Sequence, residues 1–281
     1  MVKVSFITFT KNSEDRIKGL LSHVKNIVDE IIVIDGCSTD RTVEIAKAFG
    51  AKVYRRRPWG YPDPDRMFAV EEASYEWILH LDDDERLCSK LKRDLRKIIE
   101  HAAKHNFSAL NIMRITLTPN GKPILGPMYP DMRPRVFRKN NVIFKGLVHQ
   151  PAQIRGKILC LPEDYYILHF PKHAERKMAF YAKLEALEYY DRYKDISISS
   201  LNRALLKLTP ITCIPLALYY VTLHLRRGKP FNYLGLIQAF KLARYQSMVN
   251  LLMVTRSKKQ RLIAKIIQER GITNLLDKVN M

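Results

Sequence analysis

The chain has 281 residues, 47% of them apolar and 10% aromatic, which excludes wholesale disorder and allows one large or two smaller domains with ample core. Its 48 Lys and Arg stand against 28 Asp and Glu, a formal charge of +20 that suits an anionic partner such as nucleic acid or a membrane surface. The excess is uneven: from Ile196 to Met281 there are 14 Lys or Arg against only Glu269 and Asp277, a net +12. Cys37, Cys88, Cys160 and Cys213 are far apart and form no C-x-x-C pair, so neither a disulfide framework nor a zinc site is expected, and they read as reduced cysteines of a cytosolic compartment. Met1-Val2-Lys3-Val4 runs straight into an apolar segment, so no signal peptide is expected.

Taken in order, Val2 to Thr8 is a β-rich run that opens a sheet. Asn12 or Ser13 can cap a helix whose stripe is Ile17, Leu20, Leu21, Val24 and Val28. Glu30 to Ile34 is a continuously apolar strand ending in the polar turn Asp35-Gly36-Cys37-Ser38-Thr39-Asp40, and a second helix follows that Gly50 terminates. Ala51 to Arg55 is a third strand, Arg66 to Ser74 a helix, and Trp77 to Leu81 a fourth strand. Strict alternation of strand and helix implies βαβ units and a parallel sheet. Neither G-x-G-x-x-G nor G-x-x-x-x-G-K-[ST] occurs, which disfavours dinucleotide oxidoreductases and P-loop NTPases.

The fourth strand ends abruptly in Asp82-Asp83-Asp84-Glu85. Carboxylates at the C-terminal end of a strand lie where α/β sheets bind ligands, and adjacent negative charges call for a cation among them. Hard, oxygen-preferring Mg²⁺ or Mn²⁺ suits such a set and brings phosphate oxygens as further ligands. The plain alternative is a solvated turn whose acids cap a helix starting near Ser89.

Several ordered motifs over roughly the first 150 residues resemble the inverting family 2 glycosyltransferases, which have the GT-A fold. They are Phe6 to Glu14 (a nucleotide-holding strand and loop), Ile31 to Asp40 with its D-x-x-S-x-D turn, Arg66-Met67-Phe68-Ala69, and Leu81 to Glu85, similar to the D-x-D signature. Arg135-Val136-Phe137-Arg138 with Phe144-Lys145-Gly146-Leu147-Val148-His149-Gln150 resembles a block of a subgroup acting on lipopolysaccharide-core-like acceptors. The resemblance implies a Rossmann-like, mostly parallel α/β sheet with flanking helices, an expected GT-A domain over residues 1–195, and a donor that is a nucleotide-diphosphate sugar, most simply UDP-linked. It further implies that Asp84 binds a divalent ion directly and that Asp82 contacts ribose or metal-bound water. Asp82 and Asp84 are one residue apart, so on an extended segment they point to one side while Asp83 faces the other. Thr8, Glu14 and Asp35 would line the nucleotide pocket. Arg66 would grip the diphosphate, and Arg135 and Arg138 would close over it or over a phosphorylated acceptor.

Inversion requires a general base on the acceptor side. Gln150 stands where the subgroup has Glu, and an amide takes no proton, so the candidates are His149, Asp131, Glu163 and Asp164. A lipid-phosphate acceptor needs little or no base, which keeps a polyprenyl-phosphate sugar transferase as the rival enzyme. A catalytically silent basic protein binding membrane or nucleic acid is the rival of another class, and no nucleic-acid recognition motif supports it.

Ala174 to Tyr193 reads as a helix. Leu208 to Leu225 is a run of 18 residues without Lys, Arg, Asp or Glu, broken by Pro210 and Pro215 and flanked by basic residues at both ends, and Tyr233 to Met253 repeats the theme. Residues 196–281 are therefore expected to be a basic helical region that brings the enzyme to the cytoplasmic face of an anionic membrane, lying in the interface or spanning it. The acceptor is then expected to be lipid-linked or another cell-surface glycan.

Overall fold

A computed structural model describes residues 2–57, 65–144, 152–171 and 209–254. The chain divides into two compact units, residues 1–124 with 129–172, and residues 125–128 with 173–281.

The first unit opens with β1 (Val4–Thr10), α1 (Glu14–Val24), β2 (Glu30–Asp35), α2 (Thr42–Ala48), β3 (Lys52–Arg55), α3 (Arg66–Glu72) and β4 (Trp77–His80). These strands pair in parallel in the order β3-β2-β1-β4. The alternation read from the sequence thus becomes one half of a sheet, and β1 and β2 are buried along nearly their whole length, as parallel strands covered on both faces must be. Gly50 has φ +77°, the left-handed conformation that ends α2 without a Cβ clash.

The second half is mixed. β5 (Glu85–Leu87) leads into α4 (Ser89–Lys104), β6 (Phe107–Thr116), β7 (Asp131–Arg138), the short pair β8 (Val142–Ile143) and β9 (Gln153–Ile154), then β10 (Lys157–Cys160) and β11 (Tyr166–His169). β7 runs antiparallel between β4 and β6. β10 and β11 share the other edge of β6, both parallel to it, and β5 closes the sheet antiparallel to β11. The expected mostly parallel sheet with flanking helices is present, with antiparallel β7 interposed and antiparallel β5 at its edge.

One core lies under α1 and α4, whose stripes Ile17, Leu20, Leu21, Val24 and Leu91, Leu95, Ile99, Ala102 meet Phe6, Val33 and Leu79. The other lies under α3, where Ala69 and Val70 cover Ile7, Ile32 and Ile78. α1 is tied to β5 by a hydrogen bond from the Leu87 N–H to His23 Nε2, 3.1 Å. Burial, with Lys92 and Arg86 nearby, pushes the His23 imidazole down to about 4. The unfolded chain binds this proton more readily than the folded one, so the stabilisation is complete above about pH 6.5 and is lost as pH falls toward the folded pKa. Acidification from pH 7 to 4.5 is expected to remove on the order of 2 kcal/mol through this group. In His23→Gln, whose amide oxygen accepts the same N–H, urea unfolding should show a flatter pH profile.

The second unit contains α5 (Thr209–Arg226) and α6 (Tyr233–Val254), packed as a hairpin. Gly228, at φ +63°, ends α5, and the His224 Nε2 contact with the Pro230 carbonyl, 2.9 Å, ties down the link. Asn232 caps α6: its Oδ1 accepts from the Gly235 N–H at 2.9 Å. It also accepts from the Leu125 N–H at 3.3 Å, which holds residues 125–128 on the first turn of α6. Among the described residues no helix is long and apolar enough to cross a membrane. The helix expected over Ala174 to Tyr193 lies outside the described residues.

Candidate functional site

Because β1, β2 and β4 are parallel, Thr10, Asp35 and the acids after His80 come out at the same edge of the sheet. The acids do not form a simple extended run. The Glu85 N–H donates to the Asp82 carbonyl at 3.0 Å and the Asp82 N–H donates to Glu85 Oε2 at 3.1 Å, closing a tight turn. α4 is capped by the Cys88 sulfur, which accepts from the Leu91 N–H at 3.4 Å, so capping does not occupy the acids.

Each carboxylate is addressed by a different element. Asp83 turns back to the start of α1, accepting from Ser13 Oγ at 2.5 Å and Arg16 Nη2 at 3.1 Å. Asp82, with 31% of its side chain exposed, lies 3.3 Å from Arg135 Nη2 on β7 and 3.4 Å from His80 Nε2. Asp84 Oδ2 lies 3.6 Å from Nε2 of His169, the last residue of β11. His169 Nδ1 is in turn hydrogen-bonded to Thr116 Oγ1 at 3.1 Å, which fixes the ring with Nε2 toward the carboxylate.

Beneath them lies a buried ionic chain. Glu85 has no exposed surface and receives Arg135 Nη2 at 2.5 Å and Arg114 Nη1 at 3.2 Å. Arg114 also holds Asp131 at 2.5 Å, and Arg133 holds it at 2.6 Å. Burial pushes the Asp82 and Glu85 carboxyls up. At Asp82 the Arg135 guanidinium and His80 outweigh it and hold the group well below the usual carboxylate range, whereas Glu85 stays above its ordinary value. His80, fully enclosed, is pushed down to about 4 by burial and is therefore a neutral ring under Asp82.

Asp35 is buried at the end of β2. Both its oxygens are engaged by Ser38, through the hydroxyl and through the backbone N–H at 3.0 Å, and Arg55 Nε lies 3.5 Å away. Thr8 is buried, and its hydroxyl has no hydrogen-bond partner among the described residues. Glu14 is exposed and accepts from the Arg41 N–H at 3.1 Å, in the loop that starts α2. Arg66 opens α3, its guanidinium 5.9 Å from the Phe9 ring and 5.3 Å from the Phe144 ring.

The other expected residues are not gathered here. Arg138 was expected beside Arg135, but it pairs with Glu76 and donates to the Phe107 carbonyl at 2.9 Å, opposite the first residue of β4 rather than the last. Residues three apart on a strand point to opposite faces and lie about 10 Å apart, so the two arginines cannot close over one group. Glu163 is exposed in the turn before β11, and its neighbour Asp164 pairs with Lys90 at the start of α4, so both lie at the far end of β11 from His169. Asp131 is near the cluster, yet Arg114 and Arg133 overcome its burial and hold it below the usual carboxylate value, which makes it a weak base. His149 and Gln150 lie outside the described residues.

His169 and Arg114 escape a reading by motif, and Glu85 is marked by its motif but not as the buried partner of two arginines. One signal was present: Trp77-Ile78-Leu79-His80-Leu81 is echoed by Tyr166-Ile167-Leu168-His169-Phe170, two short apolar runs that each deliver a histidine at the strand end. Carboxylates such as Asp82 and Asp84 are the ligand type that suits Mg²⁺ or Mn²⁺. Among the described residues no three His, Cys, Asp or Glu side chains converge as a complete metal site, so such an ion would draw its remaining ligands from a substrate or water.

The sequence model described as Glycosyl transferase family 2 matches residues 5–153, more than half of the chain. An uncharacterized glycosyltransferase of Rickettsia bellii is 36% identical over 140 residues, 50% of this chain and 44% of that protein. The poly(ribitol-phosphate) β-N-acetylglucosaminyltransferase TarS of Staphylococcus aureus is 27% identical over 188 residues, 63% of this chain and 32% of that protein. The chain thus spans less than half the length of these relatives. The crystal structure of S. aureus TarS residues 1–349 in complex with UDP-GlcNAc aligns over 92% of both chains, with 18% identity and a TM-score of 0.48.

Proposed function

This chain belongs to glycosyl transferase family 2, and from that premise we propose that it is an inverting, metal-dependent transferase that moves a hexose from a nucleotide-diphosphate sugar to a lipid-linked or cell-surface glycan. It would work at the cytoplasmic face of the cell membrane, with a UDP sugar as the first donor to test. The observation that carries the reading is the division of labour among adjacent acids. Asp83 is held by Ser13 and Arg16, and Asp82 by Arg135, while among the described residues Asp84 pairs with an imidazole that Thr116 has oriented.

Asp84, with Asp82, would hold the divalent ion beside oxygens of substrate or water, and His169 would orient Asp84; when bound, the ion supplies Lewis-acid stabilisation of the departing diphosphate. The chain's own residues do the rest. Arg66, framed by Phe9 and Phe144, offers a guanidinium to the diphosphate oxygens. Arg135, anchored by Glu85, keeps Asp82 ionised and oriented. Asp35 ends β2, where a nucleoside would lie, and Thr8 is buried two residues before the end of β1, beneath that edge.

Transfer to a polyprenyl phosphate is the second reading. It is favoured by the double arginine clamp on Asp131, which leaves that carboxylate poorly suited to take a proton from an acceptor hydroxyl. Thermal-shift titration with UDP-, GDP- and dTDP-sugars, with and without Mn²⁺, tests the donor half. A ligand at a hundred times its Kd should add about 2.7 kcal/mol, and only with metal present. Indifference to every donor would leave the silent-protein reading standing. Incubation of the responsive donor with a polyprenyl phosphate or a glycan, followed by mass analysis of the product, separates the two acceptors.

A further inference from the structure

The hairpin of the second unit is built inside out. Ala217 on α5 and Ala239 and Ala243 on α6 are buried, as is Val249, while several of the larger apolar side chains are exposed. Leu218 is 55% exposed, Leu225 54%, Ile237 46% and Phe240 41%, with Tyr219 at 58% and Tyr233 at 67%. A water-facing hairpin would do the reverse, and small residues at a helix–helix seam with large ones outward are the pattern of helices that meet lipid.

The outward residues fall on one side. At 100° per residue, Leu218 and Leu225 lie about a quarter-turn round from Ala217, and Leu236 and Phe240 lie about a quarter-turn the same way round from Ala239. In an antiparallel pair those two flanks emerge on the same broad face. Residues 209–254 contain no Asp or Glu, while Arg226, Arg227 and Lys229 cluster at the link and Lys241 and Arg244 follow on α6. Among the described residues no helix is long and apolar enough to span a bilayer.

From this combination we infer that the hairpin docks flat on an anionic lipid surface, with Leu218, Leu225, Leu236 and Phe240 in the headgroup–acyl boundary and the basic residues at the phosphates. The exposed tyrosines suit the same depth. Charge decides against a second copy of this chain as the occupant, because the described residues of the hairpin carry Lys and Arg and no acid, so the face repels its own image. The inference rests on the proposed function only for the membrane-borne acceptor.

The test is flotation of the full chain with vesicles of phosphatidylcholine alone and of phosphatidylcholine with phosphatidylglycerol, read without donor, metal or turnover. The protein should float with the anionic vesicles and not with the neutral ones. Leu218→Gln with Phe240→Gln should weaken binding at least ten-fold, and Arg226→Gln with Arg227→Gln should weaken it several-fold while reducing its salt dependence. These positions are exposed, and an unchanged far-UV spectrum and melting curve would confirm that the variants fold. Failure to float with anionic vesicles overturns the docking, as does binding that neither pair of substitutions alters. A salt-stable dimer in sedimentation that Leu218→Gln with Phe240→Gln dissociates would assign the face to a second copy. Donor binding is measured in vesicle-free buffer, so either proposal can fail while the other stands.

Discussion

Asp84→Ala is expected to lower sugar transfer by roughly a thousand-fold or more, the scale of losing a preorganised charge at a developing leaving group. The side chain is 18% exposed, lies 3.6 Å from His169 Nε2, and accepts no hydrogen bond from an arginine among the described residues. Its removal therefore takes away a donor atom for the ion without leaving a buried guanidinium unpaired, and folding should be little affected. Asp83→Ala makes the contrast. It releases Ser13 and Arg16, two contacts that fix the start of α1, and should cost stability while retaining a metal-dependent donor response. The readout is nucleotide release against Mn²⁺ concentration, beside a melting curve for each variant. Equal loss of activity in both variants without a difference in metal response would remove Asp84 from the role given to it.

Glu85→Ala should be the most destabilising single change near the site. Glu85 is wholly buried and balances Arg135 at 2.5 Å and Arg114 at 3.2 Å. Truncation strands positive charge in a dry interior and removes the acceptor for the Asp82 N–H, and breaking one side of such a buried pair costs roughly 3–5 kcal/mol. Urea unfolding measures it directly. Replacing Glu85 by Leu together with Arg135 by Met should recover much of the stability, since apolar residues of similar volume remove both charges at once. That double variant should still lose transfer, because Asp82 would no longer have Arg135 beside it. Recovery of activity along with stability would show that the ionic chain serves the fold alone.

The parts of this molecule that were legible in its sequence are those built from neighbours. β1 to β4 and the helices between them follow from apolar runs and stripes within a few residues of one another, and each was recovered to within a few residues. Asp82 and Asp84 were marked by their position after an apolar strand, and Arg135 by its motif. β5 was missed because Glu85-Arg86-Leu87 carries no strand pattern of its own and is extended only because β11 pairs with it. β6, β7, β10 and β11 depend likewise on pairings far apart in the chain, which periodicity does not encode. Arg138 was misplaced for a different reason: its motif treats two arginines as a unit, whereas the pleat separates them. His169 was hidden because its importance lies entirely in Asp84, a residue on another strand.

The order in which the chain is made has a consequence for when it could become active. A ribosome completes β1 to β4, and with them the edge where Thr10 and Asp35 lie, long before β11 emerges. His169 falls after residue 153, the last that the family's sequence model matches, and it reaches Asp84 only once β11 has seated between β6 and β5. A nascent chain could therefore shape the edge that ends in Asp35 early while Asp84 and His169 stay apart until later. The Asp84–His169 pair would then form as a late event of synthesis, after the strand that carries His169 has cleared the exit tunnel.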